Sequence, residues 1–227
     1  CHSSPGKHGE LSSQSVSTGE FLIDRVAVSN HEWRRFARAS KYKTDSEKFG
    51  WSFVLEYSAT ERAKAESNQT VSDAEHWLAV QGAYWRVPNG PGFKGESSSI
   101  KDYLDYPAIH ISYNDAAEYC KWAGKRLPSE VEWEVAARGG LEGAKFPWGN
   151  TMPYNNKSPD TVTATWKYNI WQGKFPAENT AEDGYAGTSP VESFAPNGYE
   201  LYNMVGNTWY VAPFLHLLLL HLCFSSP

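Results

Sequence analysis

The sequence predicts a mixed α+β fold with low regular secondary structure. Aromatic side chains are abundant, with 10 Trp, 13 Tyr and 10 Phe in 227 residues, and such large flat groups supply core area where regular elements are scarce. The chain also holds 18 Gly and 13 Pro, which set turns and interrupt long helices and strands. Short amphipathic runs, several opened by Ser-x-x-acid capping boxes, alternate with brief strand-like segments.

Taken in order, residues 1–20 are rich in Ser and Gly with scattered charge, and they predict a disordered segment. Phe21 to Val28 is mostly apolar and predicts a strand. Ser29 and Glu32 then form a capping box. Trp33, Phe36, Ala37 and Ser40 mark the inner face of the helix it opens, with Arg34, Arg35 and Arg38 largely outward. Ser58 to Ala74 is polar and predicts an excursion loop or weak helix, while Trp77 to Arg86 returns to core-like residues. Pro88 to Gly92 is turn material, and Phe93 to Asp105 predicts a surface loop.

The most informative stretch runs from Pro107 to Gly140. Ala108 to Ile111 is a brief apolar strand. Ser112 with Asp115 caps a first helix carrying Ala116, Ala117, Tyr119, Cys120 and Ala123. Tyr119, Trp122 and Ala123 share one face, and Gly124 terminates the helix. Pro128 disfavours helix for the residue before it. Ser129 with Glu132 opens a second helix that stops at Gly139-Gly140. After it come the aromatic turn Phe146 to Asn150, a polar linker over Thr151 to Lys167, and a second informative region, Asn169 to Trp209.

The charge balance excludes some functions. Net charge is −5 with pI about 5.8, and no long basic run exists, so nucleic acid is not an expected partner. Val211 to Phe224 is the only strongly apolar run, and it holds Pro213, His216 and His221. It falls short of the roughly 20 residues that span a bilayer. His216 and His221 miss the i, i+4 spacing of a helical metal pair. His110 reads as a hydrogen-bonded core histidine, and Glu130, Glu132 and Glu134 as helix-start acids favoured by the dipole. No phosphate loop, nucleophile elbow or Cys-x-x-Cys is present. Two sequons, Asn68-Gln69-Thr70 and Asn156-Lys157-Ser158, permit glycosylation in a secretory compartment.

The literal residues of the central stretch say more than their periodicity. Ser-Tyr-Asn-Asp-Ala, Trp-Ala-Gly-Lys-Arg-Leu-Pro-Ser-Glu and Glu-Trp-Glu-Val-Ala-Ala-Arg-Gly-Gly follow one another in order. This run resembles the sulfatase-modifying-factor family, that of the formylglycine-generating enzyme and its non-catalytic paralogue. The resemblance covers about Phe21 to Trp209, including Val-Ser-Asn before the first helix and Phe-Pro-Trp-Gly-Asn at 146–150. It implies a C-type-lectin-like sulfatase-modifying domain over 21–209, incomplete at the C-terminus, and an apolar tail over 210–227 unlike the family. A domain without its closing strands is expected to be marginally stable. Trp51 and Ala137 match the paralogue rather than the catalytic branch.

Two Gly-bearing loops carry hard oxygen donors of the kind calcium takes six to eight of. In Asn169-Ile170-Trp171-Gln172-Gly173 and Ala181-Glu182-Asp183-Gly184-Tyr185, the Asn169 and Asp183 side chains with the Ile170 and Tyr185 carbonyls could supply four. Spacing alone favours plain turns, since no EF-hand pattern is present. The resemblance assigns these four positions to a calcium site. It assigns Asn203, Gly206 and Thr208 to a second, in the run Asn197 to Trp209. Tyr210 stands where the family's pattern places a Glu, so this second site is expected to be weak or empty.

The family's catalytic members oxidise a sulfatase cysteine to formylglycine with a reactive, copper-binding cysteine pair. The three cysteines here are Cys1, Cys120 and Cys223. None matches that pair, and the partner expected to bridge Cys120 is not found. The resemblance therefore implies an endoplasmic-reticulum protein without turnover that at most binds unfolded sulfatases or its catalytic relative. The alternatives are a calcium-binding lectin-like interaction module and a non-functional splice or gene-model product.

Overall fold

A computed structural model describes residues 17–94, 98–151 and 166–212, together with the strand Phe224–Ser225. Disorder expected over residues 1–20 falls mainly on residues outside this set. The Asn156 sequon, most of the 151–167 linker, His216, His221, Cys1 and Cys223 lie outside the described residues as well.

The elements are short and the loops between them long. They are β1 (Leu22–Ile23), α1 (Asn30–Ser40), α2 (Asp45–Phe49), β2 (Trp51–Leu55), α3 (Glu61–Glu66), β3 (Thr70–Val71), β4 (Ala74–Gln81), α4 (Tyr113–Trp122), α5 (Glu130–Arg138) and β5 (Phe224–Ser225). An antiparallel three-stranded sheet runs β2-β4-β3, with Val54 opposite Leu78 and Thr70 opposite Leu78 on the other side. β1 pairs antiparallel with β5, Leu22 opposite Ser225.

Local chemistry explains the helices. Among the described residues four capping boxes form: Ser29 with Glu32, Thr44 with Glu47, Ser112 with Asp115, and Ser129 with Glu132. The Thr44 box opens α2, a helix the sequence reading did not identify. Each cap satisfies amides that the first helical turn leaves free. At its far end, α5 stops at Gly139 in the left-handed region. The Asn197 side chain then donates to the carbonyls of Ala136 at 2.7 Å and Ala137 at 3.1 Å in the last turn.

The buried centre is aromatic. Trp33 and Phe36 of α1 meet at 5.1 Å edge to face, and Trp33 stacks on Tyr119 of α4 at 5.5 Å. Trp85, Ile111, Ala116, Cys120 and Leu127 complete this cluster. Full burial of each large side chain contributes about 1.5–3 kcal/mol. A second cluster joins Ala136 and Ala137 of α5 to Val191, Leu201, Met204 and Tyr210. A third packs Val54, Leu78 and Val80 on Ala63 of α3.

α2 and α4 cap each other. Asp115, wholly buried, accepts from the Asp45 amide at 3.0 Å and the Tyr42 hydroxyl at 2.9 Å. In return Ser112 donates its hydroxyl to the Asp45 carboxylate at 2.6 Å, which holds Asp45 below its usual pKa. Burial pushes Asp115 the other way, above the usual range.

Several expectations need correction. Only Leu22–Ile23 of the Phe21 to Val28 run is strand. The chain then turns so that Val26 to Val28 can pack sideways, and Val28 accepts the Ala108 amide at 2.9 Å. Ala108 to Ile111 forms no strand, because His110 takes a φ of +60°, which breaks extended geometry. Ser40 is exposed rather than inward. Ser58 to Ala74 contains both α3 and β3. Cys120 is disulfide-bonded and wholly buried, so its bridge is made rather than missing. Past Trp209, Tyr210 and Val211 are buried core residues.

Candidate metal centre

The first calcium-type loop is built from two segments that the fold brings face to face. Asp183, 8% exposed, accepts the Ile170 amide at 3.0 Å and the Tyr185 amide at 2.9 Å through its two carboxylate oxygens. Asn169, 6% exposed, donates its side-chain amide to the Gly187 carbonyl at 2.7 Å and to Asn207 Oδ1 at 3.1 Å. With both of those hydrogens engaged, the Asn169 side-chain oxygen serves as an acceptor. Asp183 thus gathers Ile170 and Tyr185, although thirteen residues separate Ile170 from Asp183, while the Asn169 side chain is tied to Gly187 and Asn207.

The supporting polar groups are residues the sequence reading did not single out. Gln172, buried, donates its side-chain amide to the Ile170 carbonyl and accepts the Asp183 amide at 3.3 Å. Asn179 accepts the Gln172 and Ala181 amides at 3.2 and 3.1 Å. Asn207 accepts the Ser189 amide at 2.7 Å and donates to the Ser189 carbonyl at 3.1 Å. Only the Gly-Asn pair at 206–207 hints at this role in the sequence. Its partners are all remote in the chain.

The second loop is assembled differently. Asn203 is 7% exposed and donates to the carbonyls of Val191 at 3.0 Å and Pro190 at 3.3 Å. Its side-chain oxygen is buried with no hydrogen-bond partner among the described residues. The Gly206 carbonyl accepts the Thr208 amide at 2.7 Å. The Tyr210 hydroxyl donates to the Asn203 carbonyl, and its ring packs on Trp133 at 5.5 Å. Burial pushes the Tyr210 phenol up, so it stays neutral.

These donor sets differ in their fit to a hard divalent cation. The first offers one buried carboxylate, an amide oxygen and two backbone carbonyls, which suits calcium. The second offers an orphaned amide oxygen and carbonyls with no carboxylate, a poor match for a doubly charged ion. Among the described residues no cluster of three or more His, Cys, Asp or Glu side chains is placed to hold a metal.

The remaining candidates are structural. His110 bridges the Ser52 hydroxyl and the Pro88 carbonyl, each at 2.8 Å. Glu132 takes a two-pronged bond from Arg126 at 2.7 and 2.8 Å, which holds its carboxyl down at about 2. Glu134 pairs with Arg138 one turn on.

Residues 3–212 match the family described as the sulfatase-modifying factor enzyme 1-like domain. The chain belongs to the sulfatase-modifying-factor family. It is 49% identical over 201 residues to the formylglycine-generating enzyme of Thermomonospora curvata, covering 88% of this chain and 62% of that protein. Against the mouse formylglycine-generating enzyme it is 47% identical, covering 88% and 50%. Against the bovine inactive C-alpha-formylglycine-generating enzyme 2 it is 45% identical, covering 90% and 63%. The chain thus spans between half and two thirds of the length of these relatives. Identity is similar to the relatives named formylglycine-generating enzyme and to the one named as inactive. In structure it resembles PvdO from Pseudomonas aeruginosa, with a TM-score of 0.50 and 25% identity, covering 86% of this chain and 57% of that one. That likeness fits the α+β sulfatase-modifying domain with its low regular content. No helix among the described residues is long and apolar enough to cross a membrane.

Proposed function

We propose that this stretch of chain serves as a calcium-stabilised, sulfatase-binding domain of the endoplasmic-reticulum lumen and does not itself oxidise cysteine to formylglycine. One observation carries the second half of this reading. The sequence has three cysteines and Cys120 is held in a disulfide. A disulfide that consumes one pair leaves no two thiols to act together, and oxidation of a substrate thiol by this family's chemistry needs a thiolate pair. The partners that fit are unfolded sulfatase segments or the catalytic relative.

Calcium belongs to the proposal through Asn169, Ile170, Asp183 and Tyr185, of which Asp183 accepts the backbone amides of Ile170 and Tyr185. When bound, calcium would supply positive charge that draws these loops together. The chain's own residues do the rest, with Gln172 and Asn179 holding the loop backbones and Asn207 fastening Asn169. Asn203, Gly206 and Thr208 form the weaker second site.

The test incubates the chain with a sulfatase-derived peptide containing its target cysteine. Mass spectrometry follows conversion of the thiol to an aldehyde, and immobilised peptide measures binding. Binding without aldehyde is the expected result. Aldehyde formation, or failure to bind either the peptide or the catalytic relative, removes the proposal.

A further inference from the structure

The Asn68 sequon sits where the fold can carry a large substituent, and its surroundings give that substituent a task. Residues 68–70 are exposed in succession. Neither the Asn68 amide nor the Thr70 hydroxyl is engaged in a hydrogen bond within the described residues, whereas the flanking groups are tied down. Ser67 donates its hydroxyl to the Ala79 carbonyl at 3.1 Å, and the Gln69 carbonyl accepts the Ala79 amide at 2.9 Å. Asn68 therefore stands on a fixed backbone with a free side chain, and attachment there sacrifices no packing.

Its position is the edge of the sheet. In the order β2-β4-β3, β3 has a partner on one side only among the described residues, and Asn68 lies two residues before its first residue. β3 is two residues long, against eight for β4. Unpaired edges template the addition of strands from other chains, and proteins blunt them with bulk, charge or irregularity. Here the edge residues Gln69, Thr70 and Val71 carry no charge, and β3 shifts register against β4 between Thr70 and Val71.

We infer that Asn68 carries an N-linked glycan whose bulk stands beside β3 and keeps a second chain from adding to that edge. The bond formed joins the Asn68 side-chain nitrogen to the reducing-end carbon of a lipid-linked oligosaccharide, the lipid pyrophosphate leaving and the amide losing one proton. This inference rests on the lumenal location proposed above, since the donor exists only in the secretory pathway.

The experiment expresses the full chain behind a cleavable secretion leader in cultured animal cells, as wild type, N68Q, T70A and T70S. Peptide mass spectrometry after N-glycosidase treatment reads Asn68 directly. The wild type and T70S convert Asn68 to Asp on treatment, whereas in T70A it stays Asn and in N68Q the site is gone. Light scattering of the purified chains then shows faster aggregation for N68Q and T70A than for the glycosylated pair. A lumenal chain, identified by leader removal, with Asn68 bare overturns the inference and leaves the location standing. A native chain found in the cytosol overturns both. Equal aggregation of all four proteins overturns the shielding role.

Discussion

Asn207 and Asn169 hold each other by two bonds: the Asn207 amide donates to the Asn169 carbonyl at 2.9 Å, and the Asn169 side chain donates to Asn207 Oδ1 at 3.1 Å. This pair joins the loop expected to bind calcium to the loop that follows Asn203. Asn207 also clamps the Ser189 amide and carbonyl. One side chain thus ties three loop segments that contain no regular structure. Asn207→Asp keeps the acceptor and loses the donation to Ser189, while Asn207→Ala loses every side-chain bond. Three partly buried hydrogen bonds at roughly 0.5–1.5 kcal/mol each make the alanine variant about 2–4 kcal/mol less stable. Urea denaturation is expected to place the variants in the order wild type, Asp, Ala.

The same contact leaves no room at Gly206. A Cβ there would lie 2.2 Å from the Asn169 carbonyl oxygen and 2.7 Å from the Tyr168 ring, at a φ of +76°. Backbone cannot give way as a flexible side chain can, and a left-handed φ already disfavours any L side chain. Gly206→Ala is expected to destabilise by about 2–4 kcal/mol and to loosen the Asn169 loop. Hydrogen exchange at the Asn207 amide, faster than in the wild type, checks the second effect.

The calcium binding proposed at the first loop would depend on Asp183, the one carboxylate among its four expected donors. Asp183→Asn retains the size and one acceptor but removes the charge. Thermal unfolding of the wild type with calcium against chelator should show a rise in Tm, since binding to the folded state alone stabilises by mass action. In Asp183→Asn that rise is expected to vanish. An undiminished calcium effect in this variant would mean that the ion binds elsewhere.

His110 makes stability depend on pH. Burial drops its pKa to about 4, against an ordinary value of 6.5, and the neutral ring bridges Ser52 and Pro88. The unfolded chain gains a proton near pH 6.5 while the folded chain does not, so the stabilisation is complete above that value. It is lost as pH falls from 6.5 toward 4, at up to about 1.4 kcal/mol per pH unit. Asn suits the left-handed φ of this position, so His110→Asn serves as the control. Stability curves of the two proteins are expected to run parallel above pH 7 and converge on acidification, because the contribution of Asp115 cancels in the difference.

Much of the helical framework was legible in the sequence because its causes are local. A capping box acts within four residues, so Ser29–Glu32, Ser112–Asp115 and Ser129–Glu132 announced three helix starts without tertiary information. The Thr44–Glu47 box is equally local but less legible. It sat in a polar stretch with no apolar periodicity behind it, and its helix is only five residues long. β3 and β4 were harder, since strand formation depends on packing and on partners far along the chain.

The candidate site divides in the same way. Asn169, Ile170, Asp183 and Tyr185 are named through the family resemblance alone, since their spacing by itself favours plain turns. Tertiary structure alone decided which groups hold those donors in place. Asn207 reaches Asn169 and Ser189 across 38 and 18 residues of chain, and no local rule fixes such distances. It also decided the second loop, where a neutral phenol reaches the Asn203 carbonyl only because Trp133, from a distant helix, supplies the wall against which Tyr210 packs.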